Sequence, residues 1–202
     1  METMLLAEVP IKSNGKSARF FSDRVEFNEQ SIRYDDIAIL ATNGMTTVHT
    51  FVGIPVGRSF DGVVSFKMNS GKMHVINLNS MSMFGIPIIR NPRKNEKLYP
   101  PLFDAVNSIV ARYMAQKYIY AIQGGATVEV SNLTINSYEA TSVSKILKKV
   151  TTINRANYRE SIILDNYGVA VYDRPGELLW SNPIMNFKNV LLVPYILDAI
   201  FR

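Results

Sequence analysis

The side chains best suited to chemistry in this chain are two histidines and one pair of adjacent aspartates. His49 and His74 each lie alone within a strand-like run, and neither has a carboxylate at metal-ligand spacing. Asp35 and Asp36 are neighbours, and neighbouring residues of an extended chain point to opposite faces. We therefore interpret the histidines as ordinary sheet residues and the aspartates as a break between two strands.

Sequence motifs for nucleophilic or phosphate-binding chemistry are missing. The absence of cysteine excludes disulfides, thiolate zinc sites and cysteine nucleophiles. No serine occurs in a G-x-S-x-G context, and Gly124-Gly125 follows a helical pattern, which is the wrong order for a phosphate-binding loop. We therefore expect no catalytic residue, no metal ligand and no cofactor, and a non-enzymatic binding protein is the leading interpretation.

The residues that favour an interaction lie within residues 81–97. SMSMFGIPII is a flexible apolar stretch, and methionine adapts to irregular partner surfaces. IIRNPRKNEK then brings four cations and one anion, Glu96, which we interpret as a basic loop at 90–97. The alternative is a solvated loop beside an apolar segment tucked against the core. The candidate contact residues are Met81, Met83, Phe84, Arg90, Arg93, Lys94 and Lys97.

A long amphipathic helix is predicted at about residues 99–122, just after this stretch. Pro100 and Pro101 suit its first turn, and apolar residues then recur at steps of three and four. Gly124-Gly125 is a typical helix stop. This helix separates two regions whose patterns predict sheet.

A second helix is predicted at about residues 189–201, where NFKNVLLVPYILDAIFR repeats the helical spacing of apolar residues. Pro194 is tolerated if the helix begins near Leu192 or Val193, because proline fits a first turn. The predicted order of elements along the chain is therefore strands, helix, strands, helix.

Short strands are predicted for most of the remaining chain. Residues 1–15 indicate a loosely tied leader, followed by about six or seven short strands that include a hairpin turning at 69–72. After Gly125 the strands resume, and a second hairpin turns at 165–168. SVSKILKKV fits either a strand or a short helix, and the strands within 138–157 stay unassigned.

Several of these stretches resemble the bacterial branch of the pleckstrin-homology (PH-like) superfamily. SIRYDDIAIL is similar to its short strand ending in an aromatic-Asp-Ile step, and FKMNSGKMHVINL to its hairpin with a Ser-Gly-Lys turn. The resemblance implies an α+β fold that is mainly β, with two PH-like antiparallel barrels or sheets, each closed by a C-terminal helix. The implied domains are residues 11–123 and a shorter copy at 124–202.

The resemblance implies a binding scaffold, because this fold serves lipid, peptide and protein recognition alike. We expect a protein or peptide partner, held by strand pairing or in a groove. One alternative is association with anionic membrane lipid through 90–97; another is a small-molecule binder or enzyme without a recognisable motif. Arg19 and Arg24 lack the spacing of the phosphoinositide-binding motif. The resemblance therefore does not imply that these two residues bind a lipid headgroup.

Composition limits the compartment and the partners. The net charge is +5, and 47% of residues are hydrophobic, which is typical of a protein with a core. No apolar run approaches the roughly 18 residues that span a bilayer, and no basic n-region of a signal peptide is present. We expect a cytoplasmic protein, which would associate with the membrane surface if the lipid alternative holds. The sequence is also compatible with an oligomer. No nucleic acid is expected, because no aromatic residue interleaves the basic run.

Overall fold

The computed structural model describes residues 4–12, 15–143, 150–164, 168–183 and 188–202, and antiparallel sheet dominates it. Among these residues, sixteen strands form four hydrogen-bonded sheets, none of which closes on itself. The predicted mainly β fold is confirmed, whereas its closure into two barrels is not. The chain separates into two compact units, Met1–Val110 and Ala111–Arg202, with their boundary inside the helical segment.

The first sheet of unit 1 is a four-stranded meander, sheet A. Its strands are β1 (Leu5–Pro10), β2 (Ser17–Phe21), β3 (Arg24–Phe27) and β4 (Gln30–Arg33). The predicted leader at 1–15 is therefore wrong, because β1 pairs with β2 and buries Val9. A 3₁₀ turn, Tyr34–Asp36, ends the sheet, so the aspartates do mark a break between strands.

The second sheet of unit 1, sheet B, is built on two strands of fifteen residues each. Its strands are β5 (Ile37–Phe51), β6 (Ile54–Met68), β7 (Met73–Asn77), β8 (Ser80–Met83) and β9 (Ile86–Ile89). One half of β6 pairs with β7 and the other half with β8. The predicted hairpin at 69–72 is confirmed by the pairing of Lys67 with Met73. The prediction of short strands throughout is wrong for β5 and β6.

Helix α1 (Pro92–Ala105) packs mainly on β6 and also meets β1, β8 and β5, and it starts seven residues earlier than predicted. The side chain of Asn91 caps it by accepting from the backbone N–H groups of Arg93 and Lys94. Pro92 occupies the first turn, where its missing N–H costs nothing. Pro100 and Pro101 lie inside the helix, so they do not mark its start.

The contact between β5 and α1 leaves no room for a side chain at one position. A Cβ placed on Gly44 would lie 2.2 Å from a ring carbon of Tyr99. Tyr99 is buried and also meets Phe60 edge-on, with 5.7 Å between ring centroids. Glycine at position 44 therefore sets how closely the helix approaches the sheet.

The chain leaves α1 through a π-helical segment, Val106–Ala111, and continues as α2 (Arg112–Gln123). The helix ends at Gly124 and Gly125, as predicted. Gly125 has a φ of +90°, a conformation that favours glycine.

Unit 2 repeats the order of sheets and helix found in unit 1. Its first sheet comprises β10 (Val128–Val130), β11 (Leu133–Ile135), β12 (Glu139–Val143) and β13 (Val150–Asn154). Its second sheet comprises β14 (Tyr158–Leu164), β15 (Gly168–Asp173) and β16 (Leu178–Pro183). A 3₁₀ turn, Val190–Leu192, then leads into α3 (Val193–Phe201), which packs on α2 and β14. Pro194 lies in the first turn of α3, which agrees with the predicted start.

Two predictions fall partly or wholly on residues outside the described ranges. The predicted turn at 165–168 joins β14 and β15, which pair as expected, but 165–167 are outside the description. Most of SVSKILKKV, at 144–149, is outside it as well.

We expect Gly44→Ala to lower the free energy of unfolding by about 1–3 kcal/mol, because the new methyl group overlaps the Tyr99 ring. Gly124→Ala is the matched control, since a Cβ there has its nearest neighbour at 3.4 Å. Urea unfolding of both variants checks this. Equal midpoints for Gly44→Ala and the parent chain would contradict the close contact.

Candidate interaction surface

The predicted contact residues are all in unit 1, but they are not in one loop. Met81 and Met83 lie half-buried in β8, and Phe84 is exposed in the turn after it. Arg90 precedes the helix and donates to the carbonyl of Asn77 at 2.8 Å. The other three residues are exposed in the first turns of α1; we call Arg93, Lys94 and Lys97 the helix cations.

The interpretation of 90–97 as a basic loop is therefore wrong, because Asn91 and Pro92 start a helix there. The helix cations make no ion pair or side-chain hydrogen bond with any residue that the structure describes. Glu96, which interrupts the run in sequence, accepts from Arg58 at 2.6 Å and from Thr46 at 3.1 Å. The only anion of the run is thus directed onto sheet B.

Exposed apolar side chains gather at the far end of sheet B, where two hairpins turn next to each other. We call Phe51, Val52, Ile54, Phe84 and Ile86 the apolar tip. Between 66% and 85% of each of these residues is exposed. The two turns are adjacent because β6 pairs with β8, and the N–H of Phe84 donates to the carbonyl of Val56 at 2.6 Å.

Both turns of the apolar tip have a backbone that disfavours the residues they contain. Val52 and Gly53 have φ values of +49° and +76°, and Phe84 and Gly85 have +48° and +78°. Two positive φ angles define a type I′ turn, in which Asn-Gly or Asp-Gly is preferred. A β-branched or bulky residue with positive φ is strained. In both turns, an apolar side chain occupies the position that would suit asparagine.

The turn between β3 and β4 has the same geometry but polar residues. Asn28 and Glu29 have φ values of +46° and +64°, and they join Phe27 to Gln30. This turn shows that unit 1 uses the preferred residue type elsewhere. The apolar residues at the tip are therefore not a requirement of the turn.

A groove of about 470 Å³ lies beside the apolar tip. Phe84 and Pro55 line it, together with Arg58 and Arg93. The groove shows that the start of α1 lies close to the two turns. Apolar and cationic side chains thus share one end of unit 1.

β5 is an open edge of sheet B, because among the described strands it pairs only with β6. Its fifteen residues include no Lys, Arg, Asp, Glu or Pro. Within Ala41–Phe51, no backbone hydrogen bond reaches the open side from the part of the chain that the structure describes. Edge strands are usually protected by charge, proline or short length. β5 has none of these, and its one irregularity there is a bulge at His49–Thr50.

The register shows which backbone groups of β5 face outward. The N–H of Leu78 donates to the carbonyl of Gly62, so residue 62 directs its backbone groups away from β5. Gly62 lies opposite Gly44. Because the members of such a pair direct their groups away from each other, Gly44, Thr46 and Val48 direct their N–H and C=O groups to the open side.

The residues considered for chemistry lie apart and have local hydrogen-bond partners. His49 in β5 contacts the hydroxyl of Ser59 at 3.1 Å, and His74 in β7 contacts the side-chain oxygen of Gln30 at 2.7 Å. Burial lowers the pKa of His74, and Lys72 acts in the same direction. No group of three metal-ligating side chains occurs among the described residues.

Of the apolar tip, sequence reasoning finds Phe84. It misses the other four residues, Phe51, Val52, Ile54 and Ile86. The pattern of TTVHTFVGIPV indicates one strand, although this stretch contains the turn Val52-Gly53. The signal that could have found these turns is a single residue followed by glycine between two β-rich runs. This pattern occurs at both 52–53 and 84–85.

Comparisons of the chain with protein-family models, with curated proteins and with solved structures found no match. A separate search of the described residues found no helix that is both long enough and apolar enough to cross a membrane.

We expect Val52→Asn and Phe84→Asn each to raise the free energy of unfolding, by up to about 1 kcal/mol, because asparagine tolerates the positive φ. Asn28→Val makes the reverse exchange in the β3–β4 turn and should lower it by a similar amount. Urea midpoints of the three single variants test this. Lower midpoints for both asparagine variants would show that the tip residues are not strained.

Proposed function

We propose that this chain is a non-enzymatic binding protein of the cytoplasm that recognises an extended segment of a protein or peptide partner. The segment adds to sheet B as a new strand beside β5. The open part of the β5 edge, Ala41–Phe51, which has no charged residue and no proline, carries this proposal. The partner therefore occupies unit 1, and its backbone provides most of the binding contacts.

The contrast with β7 and β9, the other edge strands of the same sheet, supports β5 as the binding edge. β7 pairs only with β6 among the described strands, and it has only five residues. β9 has only four residues, contains Pro87, and pairs with β8 through an irregular register. These features protect a strand edge against pairing. The open part of β5, Ala41–Phe51, is more than twice as long and has no proline or charged residue. β5 therefore offers a partner strand the longest unprotected edge among the described strands of this sheet.

The chemistry of the edge indicates which segment it suits. An antiparallel partner would bond to the outward N–H and C=O groups of Gly44, Thr46 and Val48. Its side chains would lie beside threonine, valine and methionine, with no charge to pair. We therefore expect an uncharged segment rich in β-branched residues, since such side chains form favourable cross-strand pairs.

The repeated order of elements is consistent with two PH-like modules, which we include in the proposal. Each unit has a four-stranded meander, then a second antiparallel sheet, then a helix. Unit 1 departs from unit 2 by the length of β5 and β6 and by the additional hairpin of β8 and β9. The proposed binding edge lies in the part that is particular to unit 1.

We expect Val48→Pro to abolish strand addition, because it removes one outward N–H donor from the middle of the edge. Peptides would be selected from a random display library on the parent chain, and their affinities measured by calorimetry. Backbone hydrogen exchange with bound peptide should slow at Gly44, Thr46 and Val48.

Val48→Thr is the matched control, since threonine keeps the donor and the branched side chain, and it should bind as the parent does. Three results would refute the proposal: no selected peptide, equal binding by the proline variant, or protection elsewhere in the chain. A second copy on the same edge would appear as concentration-dependent dimerisation by light scattering, and this too would refute a partner segment.

A further inference from the structure

We infer that the apolar tip of unit 1 inserts into the surface of an anionic lipid bilayer, with the helix cations at the headgroups. This goes beyond strand addition, because it uses the end of sheet B and not its edge. It also differs from the predicted lipid contact through a basic loop, since that segment is helical and the inserting residues include Phe51, Val52 and Ile54.

The first observation is the concentration of exposed apolar side chains at one protruding end. All five residues of the apolar tip lie in or beside the two adjacent turns. Each is at least 66% exposed, and none carries a polar side-chain group. Protein interfaces normally include about one hydrogen bond per 100–200 Å². Side chains without any hydrogen-bonding group match hydrocarbon better than they match a protein surface.

The second observation is the backbone strain at Val52 and Phe84. Their positive φ angles put an apolar side chain at the outermost position of each turn. Such conformations are unfavourable for these residues, and they cluster at functional sites. The polar turn at Asn28-Glu29 shows that the strain is avoidable in this protein. Display of the two side chains at the very end of the sheet accounts for it.

The third observation is the charge beside the apolar tip, which identifies a bilayer as the occupant. Residues 45–60 and 80–97 contain five cations and one anion. That anion, Glu96, accepts two hydrogen bonds from Arg58. The helix cations have no partner among the described residues. Free cations beside an apolar end complement anionic headgroups above hydrocarbon.

The distances agree with shallow insertion. Arg93 lines the same groove as Val48 and Arg58, which lie opposite each other in the sheet. Phe51 is three residues beyond Val48, or about 10 Å along an extended strand. The headgroup layer on each side of a bilayer is about 5–8 Å thick. Arg93, which lines this groove, therefore reaches the headgroups when Phe51 and Val52 meet the acyl chains.

The test measures co-sedimentation of the full chain with vesicles of phosphatidylcholine and with vesicles of equal parts phosphatidylcholine and phosphatidylserine. We expect binding to the mixed vesicles, weaker binding at high salt, and little binding to phosphatidylcholine alone. The double variant Val52→Asn/Phe84→Asn should bind at least about tenfold more weakly.

The double variant separates insertion from folding, because asparagine relieves the turns. It should unfold at the same or a higher urea concentration than the parent while losing vesicle binding. Met73→Asn, which replaces a comparably exposed apolar residue in β7, is the matched control and should bind as the parent does.

A second measurement reports the depth of insertion directly. Because the chain has no cysteine, the single substitutions Val52→Cys and Phe84→Cys can each carry an environment-sensitive fluorophore. Lipids brominated in the acyl chains should quench both labels. A label on Met73→Cys, at the opposite end of sheet B within unit 1, should not be quenched.

Separate variants test whether the helix cations contribute to vesicle binding. Replacing the three helix cations with glutamine should remove most of the salt dependence of binding. The control replaces Arg33, Lys67 and Lys72 with glutamine, which changes the net charge equally in strands and turns outside the helix start. The inference is overturned if the parent chain does not sediment with mixed vesicles, if the stable double variant binds as the parent does, or if neither label is quenched.

Discussion

The ladder between β5 and β6 is the constraint on which the surfaces of unit 1 depend. At its inner end the strands place buried residues opposite each other, as with Leu40 and Phe66. Towards Val52 and Gly53 the same ladder leaves the core, and its residues become exposed. One register therefore fixes which backbone groups of β5 face outward, where the apolar tip lies and which residues meet α1. A slip by one residue would exchange the two faces of the extension.

The position of α1 on this ladder depends more on packing than on charge. The ion pair between Arg58 and Glu96 has both side chains about a third exposed, and such a pair contributes at most about 1 kcal/mol. The buried Tyr99 ring against Gly44 contributes more, since truncating a buried aromatic residue costs about 3–5 kcal/mol. Packing thus sets the helix on the sheet. Because Arg58 pairs with Glu96, this carboxylate does not neutralise the helix cations.

Local signals predicted the turn at 69–72, the helix stop at Gly124-Gly125 and the second helix, because turn and cap residues act over a few positions. The start of α1 was also locally encoded, by Asn91 and Pro92, but Pro100-Pro101 gave a stronger signal for the wrong place. The long hairpin could not be predicted in this way. Val52-Gly53 is an unfavourable turn sequence, and only the pairing of β5 with β6 over their whole length holds it.

Unit 2 shows which parts of unit 1 the fold itself requires. It builds two antiparallel sheets and a closing helix with strands of three to seven residues. β5 and β6 exceed that length by about two-fold, and their outer halves add little buried surface. The outer half of the ladder and the β8–β9 hairpin therefore add surface and strain more than core. This segment combines strained turns with an edge and cations that have no partner in the part of the chain that the structure describes. The rest of unit 1 stabilises it, and binding is the property that accounts for all three features together.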